Sequence, residues 1–196
     1  LFALAAFSLP SAVSLEAGSL KVVATTEDLA SIAREVGGDK IQVTAIAKGY
    51  QDPHFVDAKP SYLLKLKRAG LFIQVGLQLE VAWAAALLTN ARNTNIIPGN
   101  QGFLDAAAGC ELLEKPLSVD RSLGDVHPLG NPHYWLDPDN GLVIARNIAQ
   151  RLSRIDPAHA GDFQANLAKF EGRLGEKTKE WAALSAPLQG LRVVTY

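Results

Sequence analysis

Lys21 to Ala47 reads KVVATTEDLASIAREVGGDKIQVTAIA, and this stretch decides the fold. Lys21 to Thr25 is a short β-branched run, as a buried strand requires. Thr25 or Thr26 can cap a helix through EDLASIAREVG, because a threonine oxygen accepts from a free N–H of the first helical turn. Gly37-Gly38 stops that helix, and Ile41 to Ala47 is a second strand. A strand, a helix and a strand in this order make a parallel pair with a crossover.

The alternation continues downstream. Pro60 opens a helix through SYLLKLKRAG, with an apolar and a lysine face. Leu71 to Val75, LFIQV, is a continuous apolar strand of the kind found in parallel sheets covered on both faces. A helix around Val81 to Arg92 and a strand at Thr94 to Ile97 are expected next, then an irregular stretch from Pro98 to about Pro132. Asp137-Pro138 is a cap followed by proline at the first helical position, so a helix should run to about Arg154. Asp156-Pro157 repeats that signal. From there to about Ser185, Phe163, Leu167, Phe170, Leu174 and Trp181 recur at helical spacings. A helix of about 30 residues spans roughly 45 Å, longer than one small sheet needs. Leu191 to Tyr196, LRVVTY, reads as a fresh strand. The fold class is therefore α/β: an open parallel sheet with helices on both faces, then one long helix.

Composition narrows the function. The chain has 196 residues with 19 Lys+Arg against 20 Asp+Glu, so no basic surface points to nucleic acid. A single cysteine, Cys110, excludes an intramolecular disulfide framework and a cysteine-rich zinc site. Any metal must be held by His, Asp or Glu, and Cys110 is read as a small buried apolar residue. The chain begins at Leu1 and contains no Met, so a piece of a longer product is expected. Leu1 to Val13, LFALAAFSLPSAV, is apolar but too short to span a bilayer. With Ala12-Val13-Ser14 behind it, residues 1–14 are read as a signal-peptide remnant, and the mature chain as exported and not inserted in the membrane.

The chemistry lies in the histidines. His54 sits in QDPHFVDAKPS beyond the second strand, and His133 sits in GNPHYWLDPDNG before a capped helix. Both follow proline, which restricts where the imidazole can point. Loops at the carboxyl ends of parallel strands are where ligands bind, and neutral imidazole is the commonest ligand for zinc and serves other first-row metals. Each alone reads first as a solvated or hydrogen-bonded loop residue; the repeated P-H context makes the pair a candidate site. His127, in DVHPLG, is read first as a loop residue and second as a third ligand. His159 is read as surface. Asp52 can orient His54 or simply start a turn, and Asp137 is read as a cap rather than a ligand. Glu80 and Trp83 are read first as helix-starting and packing residues, with a segment bordering the cleft as the alternative, and Tyr134 and Trp135 as core aromatics before ligand-stacking groups. No G-x-S-x-G, H-E-x-x-H, phosphate loop or dinucleotide fingerprint occurs.

Four segments, KVVATTEDLASIAREVGGDKIQV, DPHFVDAKPS, LFIQVGLQLEVAW and NPHYWLDPDNG, give the chain a resemblance that runs from about Leu20 to Tyr196. It resembles the metal-specific solute-binding proteins of ABC importers, of the cluster A-I type, which capture zinc or manganese outside the bacterial inner membrane. The resemblance implies two α/β lobes bridged by one long helix, with the metal in the cleft between them. On that pattern residues 20–155 are the N-terminal metal-binding lobe, 157–186 the linking helix and 190–196 the first strand of the C-terminal lobe. The rest of that second lobe is then missing from this chain. The resemblance makes His54 and His133 the two ligands from the first lobe; a His or Glu and an Asp or Glu would follow beyond Tyr196.

Zinc, with manganese as the alternative, is then transported cargo. The implied partners are an ABC permease and its ATPase, and a monomer in the periplasm is expected. Many zinc-importing members carry a long His-rich loop before the second motif, whereas SVDRSLGDVHPLG has only His127. That removes one argument for zinc over manganese. Two other functions compete. A surface adhesin on the same fold would be supported by a lipid-anchor cysteine near the start. A metal-dependent hydrolase would need a general base beside an open coordination position.

Overall fold

The computed structural model describes residues 18–57, 59–116 and 127–192. The expected signal remnant at 1–14 lies outside them, as do the last four residues of the expected strand at 190–196. Strands β1 (Leu20–Ala24), β2 (Ile41–Ala45), β3 (Leu71–Gln74) and β4 (Phe103–Asp105) form one parallel sheet in the order β2-β1-β3-β4. The chain passes outward from β1 to β2 through helix α1 (Glu27–Gly37), then crosses back to build β3 and β4 on the other side. The strand order therefore reverses between β1 and β3, and the crevice at their carboxyl ends is the topological switch point of the sheet.

Alternation along the strands sorts the core into two layers. Val22, Ala24, Leu71 and Ile73 face one way, packed with Leu29, Ala33, Ile144, Ile148, Leu152 and Phe163. These belong to α1, α4 (Pro138–Ile155) and α5 (Ala160–Ser185). Val23 and Phe72 face the other way, onto Tyr62 and Leu66 of α2 (Pro60–Lys67) and Leu87 and Leu88 of α3 (Ala84–Ala91). A sheet buried on both faces leaves no polar side for its strands, which is why Leu71, Phe72 and Ile73 are apolar in succession, with Gln74 only at the strand's end.

The helix boundaries follow local chemistry. Thr26, not Thr25, caps α1, its side chain accepting from Leu29 N at 3.4 Å. The helix stops where Gly38 adopts φ +56°, a conformation that costs other residues a steric penalty. Asp137 caps α4 by accepting from Asp139 N at 2.9 Å, with Pro138 at the first helical position. The long helix begins later than expected: Pro157–His159 forms a 3₁₀ turn and α5 follows with 26 residues, about 39 Å at the standard rise. Phe163 and Leu167 are buried and Phe170 packs beside them, whereas Trp181 and Leu184 are exposed. Ion pairs Arg146–Glu171 and Arg173–Glu35 join α5 to α4 and α1.

One expected strand is not a strand. Thr94–Ile96 is a 3₁₀ turn, started by the Asn93 side chain accepting from Asn95 N at 3.2 Å. The same asparagine amide donates to Leu66 O and Ala69 O, so this segment ties helix α2 down instead of joining the sheet. The fourth strand lies a few residues later, at Phe103–Asp105, inside the stretch expected to be irregular.

Candidate metal centre

The two proline-histidine motifs use the same backbone device. In DPH, Asp52 Oδ1 accepts from His54 N at 2.9 Å; in NPH, Asn131 Oδ1 accepts from His133 N at 2.9 Å. Each is a turn in which a side-chain oxygen binds the N–H two residues on. Asp52 does more, because the same oxygen lies 2.7 Å from His54 Nδ1. A carboxylate there accepts an Nδ1–H, which fixes the tautomer and leaves the Nε2 lone pair free for a Lewis acid. The backbone N–H of His54, and then its ring, hold the Asp52 carboxyl below the ordinary aspartate value.

The loops carrying the histidines are anchored from behind. Trp83 is buried and its indole Nε1 donates to Pro53 O at 2.9 Å, pinning the peptide just before His54. Tyr134, next to His133, is buried and donates from Oη to Val75 O at 2.8 Å, at the end of β3. Asn140, buried in the first turn of α4, donates to Tyr134 O and Glu111 O and accepts from Glu111 N.

The switch-point crevice is occupied by the protein itself. Glu80 is buried there, Oε1 accepting from Thr25 Oγ1 at 2.6 Å and Val75 N at 2.7 Å, Oε2 from Gly76 N at 3.1 Å. One carboxylate thus joins the ends of β1 and β3. Burial pushes its pKa up, against the hydrogen bonds from Thr25, Val75, Gly76 and its own backbone that favour the charged form. Gly76 has φ +82°, and a Cβ there would fall against the Asp105 carboxylate. The expectation that Glu80 starts a helix is therefore incomplete. It closes the turn before α3, whose first residue is Ala84 rather than Val81.

Three imidazoles meet above this frame. His54 Nε2 lies 3.2 Å from His127 Nε2, with ring centroids 5.3 Å apart. The His133 ring is 5.8 Å from that of His54 and 5.1 Å from Trp135. Partial burial, then the neighbouring His54 and His127 rings, lower the His133 pKa below the ordinary histidine value; Asp52 opposes them. Among the described residues no three His, Cys, Asp or Glu side chains already converge on one point.

The other candidates lie elsewhere. His159 pairs with Asp156 at 2.7 Å in the turn before α5. Cys110 is half-buried, with burial pushing its thiol up to about 11, so it is a poor nucleophile. Asp137 serves as the α4 cap. Two supports escaped the sequence reading: the Trp83–Pro53 bond and the Glu80 clamp. Only the proximity of VGLQLEVAW to an apolar strand end hinted at them.

Comparison with known proteins gives a consistent set of likenesses. A family model described as "ZnuA: Zinc-uptake complex component A periplasmic" matches residues 22–196. The manganese ABC transporter substrate-binding lipoprotein PsaA of Streptococcus mitis is 32% identical over 82% of this chain and 50% of its own length. The metal ABC transporter substrate-binding lipoprotein ScbA of Streptococcus cristatus is 33% identical over 85% of this chain and 52% of its own. A crystal structure of a ZnuA deletion mutant with zinc bound superposes with a TM-score of 0.73 at 27% identity, over 86% of this chain and 59% of that one. The chain thus spans about half the length of the curated relatives it matches. No helix among the described residues is long and apolar enough to cross a membrane.

Proposed function

The chain belongs to the periplasmic zinc-uptake component A family, and on that premise we propose that it captures a divalent transition metal and hands it to an ABC permease. The observation that supports this most directly is the approach of His54 and His133. Their rings lie 5.8 Å apart on loops held by matching turns, and Asp52 leaves the His54 Nε2 free to coordinate. Residues 20–155 are the metal-binding lobe, and α5, within 157–186, is the helix that links it to a second lobe supplying the remaining ligands.

Zinc is the first cargo and manganese the second. Imidazole nitrogens suit zinc, which takes four ligands or three plus water, whereas manganese prefers oxygen. Manganese stays in view because relatives such as PsaA carry that metal in their names. The action is capture and release, without turnover: the ion closes a site, and docking on the permease and its ATPase opens it. The protein works outside the inner membrane, as a monomer.

Metal content of the intact protein, purified without a histidine tag or added metal, tests this alongside His54→Ala and His133→Ala. About one equivalent of zinc in the parent, lost in both variants, is the expected result. Manganese in its place would keep the ligands and change the cargo. Metal indifferent to both histidines would overturn the reading.

A further inference from the structure

We propose that the face built from α2, the end of α3 and the first residues of β1 and β2 docks on an anionic phospholipid surface, with one headgroup phosphate seated between Lys21, Lys65 and Arg68. This goes beyond the metal reading and takes from it only the location outside the inner membrane.

Charge is segregated on this face. From Lys59 to Phe103 the only acidic residue is Glu80, which is buried at the carboxyl end of the sheet, whereas Lys59, Lys65, Lys67, Arg68 and Arg92 are all exposed. Neither β1 nor β2 carries an acid, and Lys21 adds an exposed cation beside Gln42, its partner in the parallel register. Among the described residues none of these cations enters an ion pair; the lysines and arginines that do lie elsewhere. The near balance of 19 Lys+Arg and 20 Asp+Glu over the chain conceals this asymmetry.

Helix ends explain only part of the cluster. Lys65 and Lys67 complement the C-terminus of α2, and Arg92 stands at the end of α3. The two ends are held side by side, because Asn93 donates to Leu66 O and Ala69 O. Lys21 sits on a strand and answers no helix end. Like charges so collected repel one another, and an anionic surface relieves that repulsion.

The geometry suits a phosphate. Lys21, Gln42, Leu64, Lys65 and Arg68 line an open crevice of about 160 Å³. Its donors are a planar guanidinium, two ammonium groups and an amide, all of which phosphate oxygens accept from. Leu64 is 62% exposed there, an apolar side chain flanked by cations, as the boundary between headgroups and acyl chains favours. Lys67 and Arg92 lie outside the crevice at the neighbouring helix ends, more charge than one phosphate needs and what an extended surface of headgroups meets. Lys21 and Gln42 are each second in their strands, so the crevice lies at the amino ends of the sheet. His54 follows β2, and Tyr134 beside His133 binds the end of β3, so the metal centre stands at the opposite end and stays open when this face is covered.

Intact protein sedimented with vesicles of phosphatidylcholine alone, and with vesicles of equal parts phosphatidylcholine and phosphatidylglycerol, tests this, with zinc affinity measured in parallel. Binding is expected only to the phosphatidylglycerol vesicles and should fade as salt rises, since screening shortens the reach of exposed charges. A basic residue beside an anionic bilayer is worth about a 5-fold change in partition, so Lys65→Gln with Arg68→Gln should weaken binding ~25-fold and Arg92→Gln about 5-fold. Lys169→Gln with Lys179→Gln removes the same charge from exposed positions on α5 and should leave binding nearly unchanged. Zinc affinity should be unaltered in every variant. Equal loss in the two double variants, or equal binding to both kinds of vesicle, would overturn the proposal. So would failure to bind the phosphatidylglycerol vesicles; inorganic phosphate held through Lys65 and Arg68 in that case would reassign the crevice to a soluble anion. Zinc binding indifferent to His54 and His133, with vesicle binding intact, would overturn the metal reading and leave this one standing.

Discussion

Asp52 Oδ1 takes two hydrogens from His54, one from the backbone N–H at 2.9 Å and one at ring Nδ1, 2.7 Å away. One oxygen thereby sets both the turn and the tautomer, so the Nε2 lone pair is presented before any ion arrives. Asp52→Ala should lower zinc affinity by about 10–100-fold, the usual effect of removing a ligand's orienting partner. Asp52→Asn keeps the turn and should lose less. Chelator competition gives the affinities, and ¹⁵N shifts of the imidazole report whether the Nδ1–H form persists in each variant.

Trp83 acts at one remove from the same histidine. Its indole N–H donates to Pro53 O at 2.9 Å, and its ring is buried between α3 and the loop. Trp83→Phe keeps an aromatic filling and deletes the donor. It should cost about 1 kcal/mol in urea unfolding, the ordinary worth of one such bond. Zinc affinity should weaken as well, since Pro53 is no longer pinned. A variant that loses stability with unaltered zinc affinity would assign Trp83 to packing alone.

How much of this was legible depended on whether the cause was local. Thr26, Gly38 and the Asp137-Pro138 pair announce helix ends because a cap is a bond to residues two or three positions away. The successive apolar Leu71, Phe72 and Ile73 announce a strand covered on both faces. Thr94 to Ile97 misled because its β-branched residues suit a strand, while the Asn93 side chain bends them into a turn through bonds to α2. β4 is three residues long, and its pairing with Phe72 to Gln74 defines it more than its own sequence does. At the site, the D-P-H and N-P-H repeats exposed His54 and His133. The approach of His127 to His54 spans 73 residues of sequence, and the Thr25–Glu80 bond spans 55, so neither leaves a periodic trace.

Acid should act on His133 in a definite direction. Its folded pKa lies below the ordinary value of about 6.5, because burial and the two neighbouring rings disfavour the imidazolium. The unfolded chain therefore takes up this proton more readily. The stability associated with neutral His133 is complete above about 6.5 and is lost as pH falls toward the depressed folded value. Metal-free protein should unfold at lower urea at pH 5.5 than at pH 7.5, and His133→Asn should reduce that difference. Zinc binding should weaken over the same range, since a protonated imidazole cannot coordinate. Unequal slopes in parent and variant, steeper in the parent, are the result that bears this out.

Glu80 carries the opposite sign. Burial raises its folded pKa above the unfolded value, so its share of stability is complete below the unfolded value and is lost as pH rises through the raised one. The three donors Thr25, Val75 and Gly76 are spread over both oxygens, which an amide of the same size, with a single oxygen, cannot satisfy. Glu80→Gln places an amide NH₂ against a backbone N–H or the Thr25 hydroxyl and should cost about 1–3 kcal/mol. Glu80→Ala leaves Gly76 N–H and the Thr25 hydroxyl without this acceptor and should cost at least about 2 kcal/mol. Urea unfolding at several pH values separates the effects: both variants lose stability, and both lose the parent's decline with rising pH that belongs to this group. Since Glu80 joins β1 to β3, and Tyr134 binds Val75 O beside it, zinc affinity should fall in step with stability in both variants. Were stability to fall while zinc affinity held, the strand ends would be shown to move independently of the His133 loop.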